Sequence, residues 1–184
     1  MTTSKKLMPR QTVPDLKLEL AGGGTWSLAQ ENPDNFVLLI FYRGWHCPIC
    51  RKYLLDAQSR QYDLQRRGVR VIAISTDDRD RAEESKKRWG LDRLDIAYGL
   101  SLDQARDWGL YVSTSRGPTT TGVEEPPKFN EPGLFLVKPD KTLYYASIQS
   151  APFARSQISE VLQSLDFILG NDYPARGEVS LDQA

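Results

Sequence analysis

The stretch Phe36-Val37-Leu38-Leu39-Ile40-Phe41-Tyr42-Arg43-Gly44-Trp45-His46-Cys47-Pro48-Ile49-Cys50 decides how this chain is read. Its first seven residues are a continuous apolar run of strand length without a helix breaker, the pattern of a central strand buried on both faces. A four-residue turn follows, then Cys47-Pro48. From Cys50 onward Tyr53, Leu54, Ala57 and Gln61/Leu64 fall on roughly one helical face, until Gly68 supplies a C-terminal cap. Cys47 is thereby placed at a helix N-terminus. Pro48 fits the first helical position, where a missing N–H costs nothing. Unpaired first-turn amides and the helix dipole favour the thiolate, the reactive form of Cys47. Cys50, one turn in, is expected to be more buried and better suited to resolve a mixed disulfide.

Cys47 and Cys50 are the only cysteines in 184 residues, and their spacing is that of a reversible dithiol. Two blander readings stay open. In one the pair is half of a structural zinc site, but four ligands are needed, the chain has a single histidine, and adjacent His46 is badly placed to complete the set. Two buried cysteines that merely pack is the other.

Lys plus Arg and Asp plus Glu balance at 24 each, so composition points to neither nucleic acid nor an anionic membrane as a partner. The first 13 residues are polar and basic with no apolar run of signal-peptide length, and no segment approaches the roughly 20 residues of a membrane span. The cytosol is the expected compartment. There, cysteines confined to one Cys-x-x-Cys pair suit catalysis better than stapling. The length suits a single domain over residues 1–184, with its core over about 13–170.

Working outward, Asp15 to Leu20 alternates, Gly22-Gly23-Gly24 turns and Thr25 to Leu28 returns, predicting a hairpin ahead of the main sheet. Val69 to Ser75 predicts a second buried strand. Asp77 or Asp78 opens a helix that ends at Gly90, with Glu83/Lys87 and Glu84/Arg88 as i,i+4 pairs. Leu94 to Tyr98 predicts a short strand, and Ser101 with Gln104 a capping box for a brief helix stopping at Gly109. Residues 111–130 lack periodicity and read as a long loop, which in a compact domain usually carries a function or moves. Leu134 to Val137 pairs with Thr142 to Ile148 in a second hairpin. Ser156 to Leu169 is the clearest helix, with Gly170 as its cap, and an irregular tail follows Tyr173. With right-handed crossovers this order gives an α/β fold, one mixed central sheet flanked by helices on both faces.

That order, with Cys-Pro-Ile-Cys at the end of the first core strand, resembles the thioredoxin-like fold. The N-terminal β-hairpin and the insertion after the second helix are similar to the alkyl hydroperoxide reductase/thiol-specific antioxidant branch, the peroxiredoxin-like proteins. The strongest carriers are Phe41 to Cys50 and Glu131-Pro132-Gly133-Leu134-Phe135-Leu136-Val137, and the resemblance runs from about Val13 to the end of the last helix. It implies an antioxidant oxidoreductase in which Cys47 attacks and Cys50 resolves to a redox-active disulfide. It implies no cofactor, and homodimers are common in the family. Pro132 matches the cis-proline that faces the dithiol and aims the backbone of Glu131 at the substrate.

The departures are specific. Peroxiredoxins carry a proline seven residues before the attacking cysteine and a threonine or serine three before it, where this chain has Ile40 and Gly44. Nor does an arginine stand directly before Leu134. Arg43 is the candidate substitute, its alternative being a solvent-facing strand end. His46 is expected either to support the thiolate when protonated or to lie on the surface beside Trp45. Trp45 is expected to wall the substrate groove. Arg51 and Lys52 help hold a thiolate, and an inward Glu131 would raise the Cys47 pKa.

Two functions from different classes follow. One is a thiol peroxidase or thiol-disulfide oxidoreductase, taking a peroxide or a disulfide and recharged by an external thiol reductant such as a thioredoxin or glutathione system. The other is a redox-switch or metal-binding interaction module that kept the fold.

Overall fold

The structure, a computed structural model, describes residues 7–180. Its strands are β1 (Lys17–Leu20), β2 (Thr25–Ser27), β3 (Phe36–Phe41), β4 (Val69–Ile74), β5 (Asp95–Tyr98), β6 (Val112–Thr114), β7 (Lys128–Asn130), β8 (Gly133–Val137) and β9 (Leu143–Ile148). Its helices are α1 (Pro48–Ser59), α2 (Gln61–Arg66), α3 (Arg79–Trp89), α4 (Leu102–Asp107) and α5 (Ile158–Asn171). Seven strands form one sheet in the order β2-β1-β5-β4-β3-β8-β9. β3, β4 and β5 run parallel, and β8 and β1 close on them antiparallel. The mixed sheet expected from the sequence is therefore present, and the N-terminal hairpin joins its edge through β1 and β5.

All six residues of β3 are buried, as a strand covered on both faces requires. Its side chains alternate between two cores. Leu38 and Ile40 pack with Leu54 of α1, Ala82 of α3 and Leu162 of α5. Val37, Leu39 and Phe41 pack with Trp108 and with Phe135 of β8.

Several local expectations are met. Asp78 caps α3 by accepting from the Arg81 amide at 3.0 Å, and Gly90 ends it at φ 67°. The Ser101/Gln104 capping box is formed in both directions.

Three expectations are corrected. The helix begun at Pro48 does not run unbroken to Gly68; Arg60, at φ −98° and ψ 3°, separates α1 from α2. Ten residues of straight helix would turn Leu64 about 80° away from Leu54, and the break returns Leu64 to the core. Residues 111–130 are not all loop, because β6 and β7 pair antiparallel within them. The last helix passes through Gly170 to Asn171, and the left-handed residue that ends it is Asp172, at φ 47°; short polar side chains tolerate that conformation.

Register gathers the chemistry at one end of the sheet. Phe41 lies opposite Ile74 of β4 and Gly133 of β8, and Gly133 lies opposite Ile148 of β9. The turn after β3, the loop after β4, the approach to β8 and the segment after β9 thus meet around residues 42–50.

Candidate active site

Cys47 is the N-cap of α1 with Pro48 in the first turn, and its Sγ accepts from the Cys50 amide at 3.2 Å. Cys47 and Cys50 are joined as a disulfide, with Cα atoms 5.2 Å apart. Both are buried, while Pro48 and Ile49 between them are exposed. The helix-start placement read from the sequence is realised.

The residue that reasoning from sequence missed is Arg155. Its Nη2 donates to Cys50 Sγ at 2.9 Å and lies 4.0 Å from Cys47 Sγ. Two contacts fix it, and a third anchors the ring beneath it. Nε donates to the Pro152 carbonyl at 2.8 Å, the guanidinium lies 5.0 Å from the Tyr53 ring centroid, and the Tyr53 hydroxyl donates to the Ser156 carbonyl at 2.6 Å. Nη1 is buried without a partner among the described residues. Arg155 is among the residues that line a cavity of about 10 Å³, with Ile40, Tyr53, Pro132 and Ser147, space for about one water. Burial draws the Arg155 pKa down to about 10, so it stays cationic at neutral pH. No local motif marks Arg155. The signal available is topological: the chain leaving β9 emerges beside the turn that carries Cys47.

Gly44 adopts φ 126°, and a Cβ there would come 2.5 Å from Asp77 Oδ1. A threonine or serine side chain has no room at this position because the Asp77 carboxylate fills it. Asp77 is 1% exposed. It accepts from the Trp45 amide at 2.7 Å and from Arg81 Nε at 2.9 Å, and so pins the turn that delivers Cys47. Burial raises its pKa, and the Arg81 and Trp45 contacts oppose that shift.

His46 is fully buried, which corrects the surface alternative. Arg81 Nη2 lies 3.3 Å from its Nδ1. Arginine only donates, so Nδ1 accepts and the proton sits on Nε2. Burial, and then the charges of Arg43 and Arg81, lower the His46 pKa to about 3. The imidazole is neutral at pH 7 and supplies no positive charge to a thiolate, so that expectation too is corrected.

Arg43 does not face solvent. It bonds Glu125 at 3.2 Å, lies 3.4 Å from Glu131 Oε2, and its guanidinium is 4.6 Å from the Phe129 ring centroid. Its charge is shared between two buried carboxylates. Glu131 points inward, accepts from the Ser113 hydroxyl at 2.6 Å and is partnered by Arg43. The Asn130 amide ties β7 to its neighbours, donating to the Tyr42 carbonyl and accepting from the Thr76 amide. Trp45 is half-buried against Trp89, with ring centroids 5.3 Å apart. Arg51 and Lys52 are exposed.

The expected cis-proline is corrected: no cis peptide bond occurs among the described residues, so Pro132 is trans. Trans is the favoured isomer by about 0.5–1 kcal/mol. The extended approach to β8 accommodates it, with the Glu131 amide donating to the Tyr111 carbonyl and Pro132 O accepting from Gln149. Among the described residues no group of three or more His, Cys, Asp or Glu side chains is arranged to hold a metal ion. No helix among them is long and apolar enough to cross a membrane.

Comparison with known proteins agrees with this architecture. The chain is similar to peroxidoxin BcpB from Mycobacterium tuberculosis, with 18% identity and TM-score 0.68 over 88% of this chain and 98% of that one. It is similar to a reduced Plasmodium vivax 2-Cys peroxiredoxin, with 15% identity and TM-score 0.72 over 90% and 98%. It is also similar to peroxiredoxin 6 of Arenicola marina, with 18% identity and TM-score 0.69 over 97% and 87%. At such identities these likenesses speak for the fold. No curated protein matches the sequence. The sequence model of the AhpC/TSA family matches residues 9–146, three quarters of the length, and with the dithiol at the end of β3 it follows that the chain belongs to the AhpC/TSA family of thiol-dependent antioxidant oxidoreductases.

Proposed function

We propose that this peroxiredoxin-like enzyme works through a two-cysteine cycle in which Cys47 attacks and Cys50 resolves. The observation that carries the reading is Cys47 at the α1 N-cap, bonded to Cys50, with the Arg155 guanidinium on the pair. In the reduced enzyme, the first-turn amides and Arg155 favour the Cys47 thiolate. That thiolate attacks one peroxide oxygen and the O–O bond breaks. The leaving oxygen takes a proton as water or an alcohol, and Cys47 becomes a sulfenic acid. Cys50 thiolate then attacks Cys47 Sγ, releasing hydroxide that is protonated to water and closing the disulfide. The unpartnered Nη1 donor of Arg155 and the one-water cavity that this residue lines suit a small oxygen substrate. An external thiol system such as thioredoxin or glutathione returns the two electrons.

The Cys-x-x-Cys spacing supports a second substrate class. A disulfide attacked by Cys47 gives a mixed disulfide that Cys50 resolves, and the same residues serve. A dithiol that is recharged every turnover suits a reducing compartment such as the cytosol. β9 is a sheet edge whose start is covered by the chain's own residues 10–12, which bond Leu143; the stretch beyond it, with Tyr145 exposed, offers a second copy a strand to pair with.

Cys50→Ser tests the roles. Treated with peroxide and dimedone, it should carry the adduct on Cys47, found by mass spectrometry, with no adduct in Cys47→Ser. An adduct on Cys50 in Cys47→Ser and none on Cys47 in Cys50→Ser would reverse the assignment. Stoichiometric zinc binding by reduced protein without turnover would favour a metal clasp.

A further inference from the structure

We propose that Arg155 is a catalytic residue of the reductive half-reaction, where it receives the Cys50 thiolate expelled when a reductant opens the disulfide. This rests on the two-cysteine cycle above and divides its labour. The two sulfurs share Arg155 unequally. Cys47 Sγ has the Cys50 amide and the start of α1, whereas Cys50 Sγ has Arg155 Nη2 at 2.9 Å, against 4.0 Å to Cys47.

The need for such a donor follows from burial. Cys50 lies inside α1, fully buried and packed in the same core as Leu54. A thiol in apolar surroundings resists ionisation and is a poor leaving group. A guanidinium in hydrogen-bond contact reverses that, since a charge-assisted bond is roughly twice as strong as a neutral one. The placement is prepared, with Nε held by the Pro152 carbonyl, the guanidinium carbon over the Tyr53 ring, and Tyr53 anchored to Ser156. These contacts bind the 149–157 segment across the disulfide as a strap, and Ala154 at φ 52° turns the chain that presents Arg155.

With dithiothreitol the step balances. One reductant thiolate attacks Cys47 Sγ and forms a mixed disulfide. The Cys47–Cys50 bond breaks with its electron pair on Cys50 Sγ, which Arg155 holds. The reductant's second thiolate closes its ring and releases the Cys47 thiolate. Dithiothreitol has then lost the two electrons that the protein disulfide gained.

The test compares wild type, Arg155→Met and Arg155→Lys. In stopped flow with dithiothreitol at pH 7, opening of the disulfide should slow about tenfold or more in Arg155→Met. Arg155→Lys should recover part of the rate, because charge is restored without the fixed fork of donors that a guanidinium presents. In a Cys47→Ser background, where Cys50 is the remaining thiol, Arg155→Met should raise the Cys50 pKa by about one unit or more, read from the pH dependence of alkylation. Unchanged reduction with slowed peroxide oxidation would overturn the proposal, placing Arg155 on Cys47 alone. An unchanged Cys50 pKa would overturn it as well. Both readouts are independent of peroxide turnover. An inactive peroxidase that keeps both effects would refute the proposed substrate and leave this role standing.

Discussion

Gly44 and Asp77 approach so closely that a Cβ on Gly44 would lie 2.5 Å from Asp77 Oδ1. Where peroxiredoxin-like sequences place a hydroxyl three residues before the attacking cysteine, this chain has a buried carboxylate arriving from the loop after β4. The Asp77 carboxylate accepts from the amide of Trp45, the next residue. The turn that presents Cys47 is thus held by a side chain 30 residues downstream of it.

Restoring the familiar residue should therefore harm the protein. Gly44→Thr forces a β-branched side chain into a left-handed backbone, a strain of about 1–3 kcal/mol, and adds the clash with Asp77. Urea unfolding should show a loss of at least that size. The penalty should shrink in an Asp77→Ala background, where the space is open. Equal penalties in both backgrounds would show that Asp77 is not what the side chain meets.

Stability should be acid-sensitive through His46. The unfolded imidazole takes up its proton near its ordinary pKa of 6.5, the folded one only near 3. Between those values the unfolded chain binds more protons, so stability falls as pH drops, on the order of 1.4 kcal/mol per unit for this group. Asp77, whose pKa is raised by burial, acts in the opposite sense over its own range. His46→Gln keeps an acceptor for Arg81 and removes the titration, and its urea midpoint should depend less on pH between 6 and 4. Parallel curves for the two proteins would refute the assignment.

Arg43 and Arg155 should separate cleanly. Arg43→Met leaves Glu125 and Glu131 buried without their cation, a loss of about 3–5 kcal/mol. At this chain length 3 kcal/mol lowers Tm by about 6–12 °C. The alkylation rate of reduced Cys47, measured well below the transition, should stay within about twofold, because the charge near the sulfurs comes from Arg155. A large rate loss with little change in Tm would return Arg43 to an activating role.

What the sequence disclosed was local. An apolar run of strand length, a cysteine followed by proline, Gly90 after a charged helix and the Ser101/Gln104 pair each specify structure within a few residues, and each is found. What it hid depends on residues far apart. The kink at Arg60 serves the packing of Leu64, and β6 with β7 are three-residue strands whose stability lies in pairing with each other. Asp77 occupies the space of a residue 33 positions earlier. Arg155 lies 105 residues beyond Cys50 in an unpatterned segment, and strand order alone brings it home. His46 misled because its position beside Cys47 says nothing about its burial or about the cations Arg43 and Arg81 near it.

The most direct measurement is stopped-flow tryptophan fluorescence of reduced protein mixed with one equivalent of hydrogen peroxide, with Trp45 beside the reacting turn as reporter. A rate far above that of a free thiol, ending in a Cys47–Cys50 disulfide and absent in Cys47→Ser, is the predicted result. A rate no better than a free thiol would contradict peroxide as the substrate and leave disulfide exchange as the chemistry of this pair.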